Sequence, residues 1–277
     1  MRPSSPSDEI ARLAAELDRS ASRPPDGPAP PAVPRGYLAA TRTPTYGFLA
    51  ALPLFVLYEV GVLAANGAGP VQIRVGADVW LKTLLQSVGL GGWAAIGGVV
   101  VLIGAGVFVA ERERRPALVP AYFGGVVGES FVYALVLAAL VGGVVGALFG
   151  RVLWPAAMLQ MGVPGGYGME LALSIGAGLY EELVFRVLLV GGLAWVLRRA
   201  AGLTAGRAVL VAALVGAVVF SAVHHLGPFG EAFTLSAFTF RFLFGLALNG
   251  VFLVRGFAVA AWTHALYDVL VVSGWFS

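Results

Sequence analysis

Cysteine is absent from the 277-residue chain, and only 12% of its residues are charged. The first absence excludes disulfide frameworks, thiol nucleophiles and thiolate metal sites, leaving His, Asp and Glu as candidate ligands and catalysts. The second excludes an ordinary soluble domain, in which roughly 25% of residues carry charge. Histidine is also scarce: His224, His225 and His264 are the full set, each inside or at the end of an apolar stretch.

What the chain has in quantity is apolar surface. Hydrophobic residues make up 58% and mean hydropathy is +0.86, the composition of an all-α, polytopic membrane helix bundle. The net charge of +3 and pI near 9.4 come from arginines in loops, where membrane orientation requires them. They do not indicate nucleic-acid binding.

Residues 1–46 stand apart, with six arginines, five acids and a Pro-rich run from Pro24 to Pro34. This segment reads as a disordered Pro/Arg-rich cytoplasmic tail, and residues 47–277 as the membrane domain. Seven apolar runs follow, at about 47–65, 93–110, 121–149, 170–196, 208–226, 232–254 and 257–274. Between the first two, Asp78, Lys82 and Gln86 share one helical face opposite Trp80, Leu81, Leu84 and Leu85, the pattern of an interfacial helix. With the N-terminus cytoplasmic, thirteen Lys or Arg fall on the inner side against three outside, a positive-inside bias. The expected location is a plasma membrane of bacterial type.

Charge within the apolar runs is concentrated in Tyr180-Glu181-Glu182-Leu183-Val184-Phe185-Arg186. Ionisable groups at bilayer depth cost at least ~2.5 kcal/mol each by insertion scales, so they persist where they are paired or functional. Glu182 and Arg186 are four residues apart, acid first, and form an ion pair on one helical face. Glu181 is turned about 100° away and remains available for chemistry, with Ala177 and Gly178 leaving room beside it. A structural reading, in which all three charges only lock helices together, stands beside this one. Glu59 reads as a structural partner for another helix.

Two further patterns lie on separate runs: Phe220-x-x-x-His224 and His264-x-x-x-Asp268. The four-residue spacing puts His264 and Asp268 on one face. Three such helices bundled together supply carboxylates and imidazoles to one cavity, the groups that hydrolysis needs. His225 points away from His224 and reads as an interfacial histidine.

These three motifs, in this order and on separate apolar runs, resemble the CAAX prenyl protease type II-like and bacterial abortive-infection (CPBP) intramembrane endopeptidases. That family is marked by Glu-Glu-x-x-x-Arg, Phe-x-x-x-His and His-x-x-x-Asn or similar, and the resemblance covers about residues 170–270. It implies a membrane-anchored or lipid-modified peptide substrate cut by a Glu-activated water. Glu181 would be the general base, His224 would help to hold the water and His264 would stabilise the oxyanion, with Glu182, Arg186 and Phe220 in support. Asp268 departs from the common asparagine; an ionised aspartate cannot donate to an oxyanion, so its expected role is to orient His264. A metal-free mechanism is the expectation, and Glu181, His224 and His264 would be the ligands if zinc were used. There is no His-Glu-x-x-His, no Gly-x-Ser-Gly and no second aspartate to pair with Asp268 within the apolar runs, so three other intramembrane or zinc protease classes are set aside.

The rival from another class is a proton- or cation-coupled transporter using Glu59, Glu181, Glu182, His224 and Asp268 as a relay. A single hydrolytic site must also meet a demand of depth. At ~1.5 Å per residue, Glu181 and His224 lie about 25 Å from the nearest loop arginines and His264 only about 14 Å from Arg255. Upright helices would not align them; tilt, a break at Gly191-Gly192 or a last helix that begins deeper would.

Overall fold

The computed structural model describes residues 33–67, 72–91, 93–150, 165–227 and 230–276. Most of the expected tail therefore lies outside the described residues, as does most of the glycine- and proline-rich loop that follows the third run. Among the described residues there are helices and no strands. In chain order they are α1 (Tyr37–Thr41), α2 (Pro44–Asn66), α3 (Gly76–Ser87), α4 (Trp93–Ala110), α5 (Pro120–Phe149), α6 (166–199), α7 (Ala205–Val223), α8 (Leu235–Arg255) and α9 (Phe257–Val272). Each of the seven apolar runs coincides with a helix. Four helices, α2, α5, α7 and α8, are long and apolar enough to cross a membrane by length and composition, with Ile96–Ala110 and Phe257–Val272 as shorter apolar helices. The chain is an integral membrane protein built as a polytopic helical bundle.

Local chemistry sets the helix ends. The Thr43 hydroxyl caps α2, accepting from the Tyr46 N–H at 3.4 Å, with Pro44 at the first helical position, where its missing N–H costs nothing. Thr234 caps α8 by accepting from the Ala237 N–H at 3.1 Å. Between α8 and α9 the chain reverses through Gly256 alone, at φ +88°, a conformation that favours glycine.

Residues 37–46, assigned to the tail from sequence, are folded. They form α1 and the first turn of α2, with Thr41, Thr45 and Tyr46 buried. Arg255 explains why. It is 5% exposed and donates from Nη2 to Glu129 Oε2 at 2.8 Å, from Nη2 to the Thr41 hydroxyl at 2.9 Å and from Nη1 to the Leu38 carbonyl at 3.2 Å. Tyr37 donates its phenol to the same Glu129 at 2.6 Å. Burial, followed by the hydrogen bond to Glu129, pushes that phenol up to about 12, so it remains a donor at neutral pH. Glu129 is nine residues into α5, about 13 Å from the helix start at 1.5 Å per residue. The α8–α9 turn is therefore recessed into the bundle, and the shortfall in depth at His264 disappears.

The amphipathic α3 is a helix, but Asp78 and Lys82 of its polar face are turned inward, while Gln86 is exposed. Asp78 is fully buried and accepts from the Tyr58 phenol at 2.8 Å. Arg74 and Lys82 each bridge Asp78 and Glu59, and Tyr180 also donates to Glu59 at 3.2 Å. Trp80 and Leu84 face outward. Buried acids and bases are partners for each other, so hydropathy alone reads a protein-facing polar stripe as a water-facing one.

The helix that carries the Glu-Glu motif is continuous from 166 to 199 but widens into π-helix over Ala177–Glu181 and Leu183–Gly191. Such wide turns are rare and occur frequently at functional sites. Gly178 does not leave room beside Glu181, contrary to the sequence reading. The space is filled by α9: a Cβ on Gly178 would meet the Ala261 carbonyl, the Ala265 N–H and the Ala265 methyl, all at 2.5 Å. Gly178→Ala is therefore expected to destabilise the bundle by about 1–3 kcal/mol or more, because backbone has to move. Thermal melting in detergent measures this, and an unchanged melting temperature would refute so close a crossing.

Candidate active site

The close crossing of α6 and α9 delivers His264 to Glu182. His264 Nδ1 lies 2.7 Å from Glu182 Oε1, while Arg186 Nε pairs with the other oxygen, Oε2, at 3.0 Å. Glu182 and Arg186 are both fully buried. The four-residue ion pair expected from sequence is thus present, and the same carboxylate orients an imidazole. Asp268, given that task in the sequence analysis, is farther away: its Oδ2 lies 3.5 Å from His264 Nε2. The nearer carboxylate came from another helix, where sequence spacing gives no signal.

Glu181 faces a different imidazole. Its Oε2 lies 3.6 Å from His224 Nε2. That oxygen is buried and accepts no hydrogen bond among the described residues. His224 follows the last residue of α7, and its Nδ1 lies 2.6 Å from the Phe220 carbonyl. A carbonyl only accepts, so Nδ1 carries the hydrogen, and in the neutral ring Nε2 presents a lone pair to Glu181. Two acceptors facing each other at this distance do not bond directly. A water donating one hydrogen to each satisfies both.

Phe220 packs the arrangement together. Its ring meets His224 at 4.7 Å and His264 at 6.0 Å between centroids, both edge-on, and the Arg186 guanidinium stacks over it at 4.5 Å. Phe185 and Phe244 complete the apolar surround. Glu181, Glu182, Arg186, Phe220, His224, His264 and Asp268, all singled out in the sequence, therefore lie in one connected neighbourhood.

Sequence reasoning missed Glu231 and gave Arg241 no role in hydrolysis. The Glu231 N–H donates to the His224 carbonyl at 2.9 Å. Its carboxylate is held by Arg241 through a two-bond contact, Nε to Oε1 and Nη2 to Oε2. His225 is tied to the same residue, Nδ1 lying 3.3 Å from the Glu231 carbonyl, and is walled by Phe233 and Phe238. Glu231 and Arg241 fix the turn that carries His224, so Glu231 is a positioning residue. Loosening that turn by about 1 Å is worth up to about 10²-fold in rate. Glu231→Gln is expected to lower kcat within that range with little change in KM; a rise in KM alone would place Glu231 in substrate binding instead.

Among the described residues no three His, Asp or Glu side chains are grouped to hold a metal; His264 has Nδ1 on Glu182 and keeps Nε2 for a further partner. Nor does Glu59 join these groups as a relay would require: it is engaged by Arg74, Lys82 and Tyr180 on a neighbouring face of α6. A cleft of about 470 Å³ lined by Phe55, Glu59, Leu63, Arg74 and Lys82 opens there, apart from the two histidines.

Residues 165–270 match the family model described as Type II CAAX prenyl endopeptidase Rce1-like. The matched stretch holds all three motifs and Glu231–Arg241, and it bears out the resemblance read from the sequence. No curated protein and no solved structure matches the chain.

Proposed function

We propose that this chain, with the Rce1-like endopeptidase signature in residues 165–270, hydrolyses a peptide bond in a membrane-anchored substrate by means of a glutamate-activated water. The family match implies a CAAX-type intramembrane endopeptidase; the division of labour among residues is our reading. The observation that carries it is the buried, unbonded Glu181 oxygen 3.6 Å from a second acceptor, His224 Nε2. A structural ion-pair cluster would place an arginine there. Here the arginine is spent on Glu182.

In this mechanism a water donates one hydrogen to Glu181 and one to His224, which leaves its oxygen lone pair directed at the scissile carbonyl. As the C–O bond forms, Glu181 takes the proton and the carbonyl oxygen becomes an oxyanion. His264, with Nδ1 donating to Glu182, offers Nε2–H to that oxygen when the ring is doubly protonated. Glu181 then passes its proton to the departing amine as the C–N bond breaks. Asp268 helps to set the His264 ring from the other side. The substrate class in this reading is an anchored and lipid-modified peptide, which the family match supports.

The test is turnover of a prenylated CAAX peptide by the purified protein in detergent, followed by mass spectrometry. A single hydrolytic cut is expected, reduced about 10²–10⁴-fold in His224→Ala, the range for a positioned proton-transfer group. Equal cutting by that variant would remove His224 from the mechanism.

A further inference from the structure

The polar neighbourhood has a sealed side and an accessible side, and the two point to opposite ends of the bundle. One end is rich in arginine. Arg42 precedes α2, Arg112, Arg114 and Arg115 lie between α4 and α5, and Arg198, Arg199 and Arg207 flank the α6–α7 connection. Contacts join the start of α2 to the α4–α5 loop and to the end of α8: the Thr45 N–H donates to Glu111 at 2.8 Å, Tyr46 donates its phenol to the Ala117 carbonyl at 2.9 Å, and Arg42 reaches the Leu253 carbonyl at 3.4 Å. Running antiparallel to α9, α6 brings its C-terminal end to this same side. The other end gathers the start of α6 and the end of α9, joined by Tyr167 and Ser273 at 3.1 Å, with the turn after His224.

Three of the site helices and the turn after the fourth show the same gradient. On α6, which runs toward the arginine end, Glu181 is 15% exposed, whereas Glu182 and Arg186 beyond it are 0% and 1%. On α9, which runs away from that end, exposure rises from 5% at His264 to 14% at Asp268. On α8, Arg241 near the start is 19% exposed, while Gly245 and Asn249 farther along are buried. After α7 come His224 at 19% and Glu231 at 12%. Toward the arginines the site is closed by Arg186, Phe220 and Phe244.

Loop arginines lie on the cytoplasmic side, and twelve of the eighteen Lys and Arg residues belong to the tail and the arginine end. We infer that the site opens on the extracytoplasmic side. Its substrate is then the extracytoplasmic, membrane-proximal segment of an anchored protein, and a cytoplasmic C-terminal motif meets the closed floor. This substrate class rests on the endopeptidase reading; the direction of opening does not.

The chain has no cysteine, so single cysteines report without background. A232C sits at the open end and R114C at the arginine end, both at exposed positions. In intact bacterial cells a membrane-impermeant maleimide is expected to label A232C fully and R114C only after lysis. Labelling of R114C before lysis, or of A232C only after it, overturns the inference. The second arm uses two anchored reporters with the same cleavable segment placed on one side of the anchor or the other, and loss of the extracytoplasmic one alone is expected. Cleavage of the cytoplasmic reporter overturns the substrate class. If labelling is as expected and neither reporter is cut, the endopeptidase reading fails while the orientation stands.

Discussion

Glu181→Gln is expected to abolish most peptide hydrolysis, by about 10²–10⁴-fold in kcat, while leaving thermal stability close to that of the parent protein. The two halves follow from the same geometry. Among the described residues the buried Glu181 oxygen accepts no hydrogen bond and faces His224 rather than an arginine, so the fold is expected to tolerate loss of its charge. The amide keeps the shape, loses the proton acceptor and places an N–H donor or a neutral carbonyl where the water's hydrogen must go. Turnover and melting measured on the same preparation decide the matter. A large fall in melting temperature would make Glu181 a structural residue, and unchanged turnover would move the base elsewhere.

Glu182→Gln is expected to behave in the opposite sense on stability. Arg186 is fully buried, and Glu182 is its paired carboxylate. Removing one partner of a buried pair strands the other charge, at a cost of about 3–5 kcal/mol. Turnover also falls, because His264 loses the acceptor at 2.7 Å that sets its ring. The double substitution Glu182→Leu with Arg186→Met separates the effects: it removes both charges and is expected to recover most of the lost stability, with hydrolysis still impaired. Stability that stays low in the double variant would mean that packing of these side chains, not their charge, holds the helices. Recovery of both stability and turnover would show that His264 needs no orienting carboxylate.

The contrast between neighbouring glutamates was partly legible in the sequence. Four-residue spacing pairs Glu182 with Arg186 and leaves Glu181 facing elsewhere, because both statements concern one helix. Apolar runs likewise located each long helix. The unread features all depend on a second element. Glu182 rather than Asp268 as the close partner of His264 depends on where α9 crosses α6, and that is set by Gly178 against the α9 backbone. Glu231 sits outside the periodic runs, so nothing marked it except its position ten residues before an arginine. The inward face of α3 was hidden for a related reason: amphipathicity records that a helix has two faces and leaves open which one meets protein. The wide turns of α6 carry no local pattern beyond the flanking glycines Gly176, Gly191 and Gly192.

The recessed turn at Gly256 bears on where the membrane domain begins. A helix pair that stops short of the bundle's end leaves a hollow, and α1 occupies it like a cork, with the Leu38 carbonyl and the Thr41 hydroxyl seated on the Arg255 guanidinium. A chain trimmed to start at α2 would uncork that hollow and strip two acceptors from a buried cation. The ten residues before the first long helix are thus part of the foundation under His264.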